Sequence, residues 1–221
     1  MTNNGSMYTT VMDKLNFEPR LDASNITVSV QGNNDIILLS GHVGSFGEKL
    51  LAEKAVKNLA NVRAVANDIE VNLAAKYQKS DIEIAKDITR SLKLNFFVPD
   101  EDIKVVVRDG VVTLSGSVEW YYEKHNAFNS IHNLFGVKLV INNIVIKPSA
   151  RIDITAVKDK ITKEFERHAR IDARRIQIET NRSKITLKGT VSNFDEIDEA
   201  EDAAWSIPGV EEVKNELTVD W

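Results

Sequence analysis

The chain has no cysteine, four histidines, four prolines and no long run of apolar residues. Without cysteine there is no disulfide, no thiolate nucleophile and no cysteine-based metal site. The longest apolar stretches, such as Val137 to Ile146, are about half the ~20 residues that a membrane-spanning helix needs, and Lys138, Asn142 and Asn143 interrupt this one. A net charge of -5 argues against general nucleic-acid binding, which relies on a basic surface. Scarce glycine and proline, with 43% apolar and 28% charged residues in 221, exclude a disordered or collagen-like chain and describe a globular one. The first ten residues are polar and lack the ~7 to 15 residue apolar stretch of a secretory signal, so a cytoplasmic location is expected. Gly5-Ser6-Met7 resembles a cloning remnant, and a periplasmic location is the expectation if a leader was removed.

What is present is a repeat. Ile37-Leu38-Leu39-Ser40-Gly41-His42-Val43 recurs as Val112-Thr113-Leu114-Ser115-Gly116-Ser117-Val118 and as Ile185-Thr186-Leu187-Lys188-Gly189-Thr190-Val191. Counted forward from each glycine, the register holds without a gap. Ala52, Ala127 and Ala200 stand at plus 11; Leu59, Leu134 and Ile207 at plus 18; Val62, Val137 and Val210 at plus 21. Val65, Val140 and Val213 follow at plus 24, and Asn67, Asn142 and Asn215 at plus 26. Backward from the glycine the first copy is two residues longer than the others, and the extra pair falls in the Gly32 to Asp35 turn. The copies are residues 7–73, 80–148 and 154–221.

Each copy follows one plan. An amphipathic stretch with apolar residues four apart comes first: Val11 and Leu15; Ile84, Ile88 and Leu92; Val157, Ile161 and Phe165. A period-two strand follows, such as Ile26, Val28 and Val30. Asp109-Gly110 marks a tight hairpin into the second strand. Ser45 with Glu48, and Asn193 with Glu196, have the spacing of helix-capping pairs at the start of a second helix. A last strand closes the unit at Val65 to Val71, Val140 to Ile146 and Val213 to Val219. The fold class is therefore α+β: three tandem αββαβ units, each a small three-stranded mixed sheet with two helices packed on it. The helical crossover places the last two strands parallel. Gly41, Gly116 and Gly189 are read as structural, permitting a backbone shape or close approach that a Cβ would obstruct. The three alanines at plus 11 let the second helix sit close to the sheet.

This pattern resembles the BON domain, a bacterial module of similar length and element order. The resemblance rests on the hydrophobic-x-Leu-x-Gly-x-Val strand end, the small-residue helix and the Gly/Asn-Val-x-x-Val-x-Asn-x-Ile/Leu-x-Val ending, each present three times, with Ile146 in place of the last Val in the second copy. It implies a non-enzymatic module of the kind found in osmotic-shock proteins, outer-membrane lipoproteins, secretin-associated proteins and mechanosensitive channels. It also implies recognition of phospholipids or envelope-associated partners.

The residues themselves offer no catalytic constellation and no cofactor site. His42, His125, His132 and His168 are scattered, and there is no nucleophile elbow, phosphate loop or dinucleotide fingerprint. Asp195 to Asp202 reads as a solvated helix face with Ile197 and Ala200 turned inward. Basic residues gather in the third copy, at Lys158, Lys160, Lys163, Arg167, Arg170, Arg174 and Arg175, where each cation would add ~1 kcal/mol near an anionic lipid surface. Phe46, Tyr121 and Phe194 share the plus 5 position, where repetition favours contact with the unit's own core. In the second copy Trp120, Tyr121 and Tyr122 are consecutive, so not all three can face inward, and Phe96-Phe97 is a second aromatic candidate with core anchoring as its alternative. The expected contact residues are Trp120, Tyr121 and Tyr122 first, then Lys163, Arg167, Arg170, Arg174 and Arg175. The expected function is binding or scaffolding in osmotic or envelope stress. A small-ion or metabolite sensor and a self-assembling homo-oligomer remain alternatives.

Overall fold

A computed structural model describes residues 4–149, 154–167 and 173–220. The side chains of Val157 and Lys158, and residues 168–172 with His168 and Arg170 among them, lie outside the described residues. In chain order the first copy holds α1 (Asn4–Phe17), β1 (Ile26–Gln31), β2 (Ile36–Val43), α2 (Phe46–Lys57), β3 (Ala64–Asn67) and β4 (Glu70–Val71). The second holds α3 (Asp81–Leu94), β5 (Ile103–Arg108), β6 (Val111–Val118), α4 (Tyr121–Asn129) and β7 (Leu139–Ile146). The third holds α5 (Ile154–Arg167), β8 (Ile176–Asn181), β9 (Lys184–Val191), α6 (Phe194–Trp205) and β10 (Glu212–Val219). Each copy builds its own mixed sheet, in the orders β1-β2-β3, β5-β6-β7 and β8-β9-β10.

The hairpins follow their turn chemistry. Asp109 and Gly110 both have positive φ, 53° and 79°, as the two-residue type I′ turn requires. The longer turn of copy one uses Gly32 and Asn34 at φ 65° and 70°. The crossover strands are parallel: β2 pairs with β3 from Ile36↔Ala64, and β9 with β10 from Lys184↔Glu212. In copy one the last strand departs from the single Val65 to Val71 run. It breaks after Asn67, where the Ile69 amide turns to the Asn67 side chain, and β4 then resumes the same parallel pairing on β2.

At the anchor glycines the backbone leaves no room for a Cβ. Gly41, Gly116 and Gly189 have φ of 103°, 132° and 126°, and a Cβ there would stand 2.0 to 2.1 Å from the carbonyl oxygens of Asn25, Asp102 and Arg175. No L side chain tolerates both the conformation and the contact. The plus 11 alanines are fully buried, as close helix-to-sheet packing demands. The asparagines at plus 26 perform a task that sequence reasoning left unassigned. In each copy Oδ1 accepts the backbone N–H two residues on, at Ile69, Ile144 and Leu217. The amide then reaches the second helix: Lys49 O and Glu53 in copy one, Lys124 O in copy two, Glu201 in copy three.

By contacts the chain divides into two compact units. Unit one joins copy one to residues 105–114 and 128–141, with α3; unit two joins residues 95–104 and 115–127 to everything from 142 onward. In unit one, Val11, Leu15, Ile37, Leu39, Ala52, Val56, Val62 and Ile69 form the centre of a core cluster. In unit two the corresponding centre is Ile161, Phe165, Ile185, Leu187, Val191, Ala200 and Ala204. Burying a large aliphatic or aromatic side chain contributes about 1.5 to 3 kcal/mol, which suits modules of this size.

Candidate binding surface

The plus 5 aromatics open the second helices. In copy one that helix starts with a capping box: Ser45 accepts the Glu48 amide at 3.2 Å, and the Glu48 carboxylate accepts the Gly44 amide at 3.4 Å. In copy three Asn193 accepts the Glu196 amide at 2.9 Å and Glu196 accepts that of Ser192 at 2.7 Å. Glu196 is therefore buried, 3% exposed, an exception to the solvated reading of the acidic run. Copy two uses Glu123 alone, which accepts the amides of Glu119 and Trp120, each at 3.0 Å.

These caps open the helices that carry the plus 5 rings, and two of those rings have a partner outside their own copy. Phe46, 4% exposed, meets Phe128 of α4 edge-on, with centroids 6.4 Å apart. Tyr121 stacks flat on Trp205 of α6 at 4.6 Å. Both rings leave their own copy for the second helix of the next one. At two of the three positions the repeated ring marks a junction with the next copy. Phe128 in turn stacks on His132 at 5.2 Å. Burial pushes the Tyr121 hydroxyl up to about 12, with Asp202, Glu201 and Asp198 adding to the rise. Burial also raises Asp202, against a lowering influence from His125.

With Tyr121 committed to Trp205, its neighbours turn outward. Trp120 and Tyr122 lie nearly parallel, 6.2 Å apart. Tyr122 meets Phe97 edge-on at 6.4 Å, and Phe97 meets Phe96 edge-on at 5.6 Å. The four rings form one row, in which Phe96 is 95% exposed, Phe97 59% and Tyr122 47%, while Trp120 is half-buried. Core anchoring of Phe96-Phe97 is thus overturned: Val98 fills the core from this loop. The loop is held by Asn95, whose side chain accepts the Phe97 amide at 3.0 Å and whose carbonyl accepts that of Val98. No sequence signal announced that residues 96–97 and 120–122 meet, since 25 residues and two strands separate them.

The stretches that carry the rings hold more acid than base. Residues 95–104 and 115–127 carry five carboxylates, Asp100, Glu101, Asp102, Glu119 and Glu123, against Lys104 and Lys124. Burial raises the Tyr122 hydroxyl, and the charges of Glu123 and Glu119 raise it further. Burial lowers Lys124.

The basic residues of copy three are dispersed by comparison. Arg175 donates to Asp220 at 2.6 Å and to Thr190 at 3.0 Å, tying the start of β8 to the end of β10. Arg167 pairs with Glu164 at 2.9 Å. Lys163 and Arg174 are exposed, and Arg170 lies outside the described residues. A cleft in unit one, lined by residues such as Asp22, His42, Ser45, Glu48, Tyr77 and Phe135, borders the start of α2. The amides of Gly44 and Glu48 there are already taken by the capping box. Among the described residues no group of three or more His, Asp or Glu is placed to hold a metal ion, and no helix is long and apolar enough to cross a membrane.

Comparison with known proteins agrees with the repeat. The BON domain family matches residues 8–72, 80–148 and 153–220. Osmotically-inducible protein Y of Escherichia coli K12 is 30% identical over 124 residues, which is 54% of this chain and 62% of that protein, so the match spans less than two thirds of the relative. Two solved structures are only loosely similar. CdsD, a structural protein of the type III secretion system of Chlamydia trachomatis, is 15% identical with a TM-score of 0.27, covering 99% of this chain and 93% of that one. The PrgH periplasmic domain is 10% identical with a TM-score of 0.22, covering 95% and 100%. Three matches to one family, across nearly the whole length, make this chain a member of the BON domain family.

Proposed function

We propose that this protein is a non-catalytic recognition module of osmotic or envelope stress, and that it holds its partner against the aromatic row of copy two. The observation that carries this reading is the row itself: Phe96, Phe97, Tyr122 and Trp120 touch one another while Phe96, Phe97 and Tyr122 stay exposed. Aromatic side chains bury about 150 to 250 Å² each when covered, and contiguous apolar patches on a soluble surface mark interaction sites. A phospholipid surface and an envelope-associated protein would both cover such rings, since Trp and Tyr favour either kind of interface. The relative named for osmotic induction supports the physiological setting.

The test is a titration of the full chain against phosphatidylglycerol and phosphatidylcholine vesicles and against apolar-faced peptides, with Phe96→Ser/Tyr122→Ser as comparator. The expected result is binding to at least one of these by the wild type, reduced tenfold or more in the variant. Binding that the variant retains in full sinks the reading.

A further inference from the structure

We propose that the occupant of this aromatic row is a protein segment, apolar on one side and rich in arginine or lysine on the other, and not an anionic membrane. This inference rests on the reading of the row as the recognition surface and names the partner's chemistry.

Charge complementarity carries it. The stretches that present the rings hold five carboxylates against two lysines, and the loop bearing Phe96 and Phe97 runs directly into Asp100, Glu101 and Asp102, the last two exposed. The remaining pair is engaged locally. Glu123 is fixed by the amides of Glu119 and Trp120, and Glu119 accepts the Ser149 hydroxyl. The charges of both raise the Tyr122 hydroxyl, so their negative potential reaches the row. An anionic lipid layer attracts basic segments and repels carboxylates held at headgroup depth. Lys93 and Lys147 flank these stretches and still leave the carboxylates in the majority, five against four; of the copy-three cations, Arg175 and Arg167 are engaged with Asp220 and Glu164.

A cationic segment meets the opposite situation. Fixed carboxylates accept a guanidinium in a paired, charge-assisted geometry. Tyr and Trp faces attract Arg and Lys cations. Apolar side chains of the same segment cover the rings, which is how aromatic anchors and a polar rim divide the work at protein interfaces. The three ring-to-ring steps of 5.6, 6.4 and 6.2 Å bound the row at about 18 Å, the length of roughly 12 residues of helix at 1.5 Å each. Three turns of an amphipathic helix therefore suffice to span the row.

The experiment uses the full chain and a labelled 14-residue helical peptide with leucine on one face and arginine on the other. A twin carries glutamate in place of arginine, and phosphatidylglycerol and phosphatidylcholine vesicles form a second arm. The arginine peptide is expected to bind at least tenfold more tightly than its twin, and more weakly as salt rises. Asp100→Asn/Glu101→Gln is expected to weaken it three- to tenfold, and Phe96→Ser/Tyr122→Ser tenfold or more. Asp68→Asn/Glu70→Gln, which removes two charges from copy one, is expected to leave it unchanged. Unaltered melting temperatures establish that each variant is folded. Equal binding of the twin, or equal weakening by the copy-one variant, overturns the proposal, because net charge would then explain the attraction. Vesicle binding without peptide binding overturns it in favour of a membrane and leaves the recognition surface standing. Binding to neither overturns both.

Discussion

The junction in unit one and the junction in unit two start from the same residue position and end in different chemistry. At the tip of α2, Phe46 is nearly fully buried and meets the hydrocarbon edge of Phe128. At the tip of α4, Tyr121 stacks on Trp205 with its hydroxyl among Asp198, Glu201 and Asp202. The first contact is made by two hydrocarbon rings; the second carries an ionisable hydroxyl in an acidic setting. In these two copies the shared position sets where a contact is made, while the residue there and the partner helix decide its chemistry.

The comparison can be broken most severely by destroying one side of it. Gly189→Val puts a Cβ about 2.1 Å from the Arg175 carbonyl at a φ of 126°. It is expected to cost more than about 4 kcal/mol, an exceptional value reached only by mechanisms such as this strain. Urea unfolding followed by tryptophan fluorescence, with Trp120 and Trp205 both in unit two, should show the loss. Removing the apolar junction is expected to come next. Phe46→Ala should cost about 3 to 4 kcal/mol, in the range for a buried aromatic, measured by circular dichroism in urea. Because Trp205 is half-buried, Trp205→Ala should cost less, about 2 kcal/mol; a larger loss than that of Phe46→Ala would reverse the ranking of the two junctions.

A pH titration sharpens the contrast further. The Tyr121 hydroxyl is held at about 12 in the folded protein against 10.0 when unperturbed. Between those values the folded chain keeps a proton that the unfolded chain has released, so its stabilising influence is whole below pH 10 and is lost as pH rises toward 12. Melting temperature measured from pH 9 to 12 should fall less in Tyr121→Phe than in the wild type, whereas Phe46→Tyr probes the reverse. The smallest effect is expected at Gly47→Ala. Its Cβ would run into the Asn133 carboxamide oxygen at 1.9 Å, yet that group is the end of a side chain, and alanine favours the helix by up to about 1 kcal/mol. A net change within about 1 kcal/mol is expected; a loss above about 2 kcal/mol would show that Asn133 is held rigidly at the unit-one junction.

Much of the fold was legible because it depends on local pattern. Ile84, Ile88 and Leu92 recur at helical spacing and are buried; Asp109-Gly110 has the turn residues a two-residue hairpin demands. The candidate surface was legible only in part. Three consecutive aromatics at 120–122 must include an outward one, but which ring turns out depends on Trp205, more than eighty residues away. Phe96 and Phe97 could be read from sequence as exposed contacts or as core anchors; Val98 takes the core place and leaves both rings in solvent.

The sequence by itself determined the triplicate αββαβ plan, the glycine at each hairpin end and the helix starts. Each follows from periodicity, turn chemistry and capping within a few residues, and each recurs at the same offset three times. Only the tertiary structure decided that Phe46 and Tyr121 join successive copies, that the plus 26 asparagines clamp strand to helix, and that four aromatics assemble in stretches rich in carboxylates. Those outcomes depend on which side chains distant segments bring within a few ångströms, and side-chain spacing along one strand or helix carries no record of that.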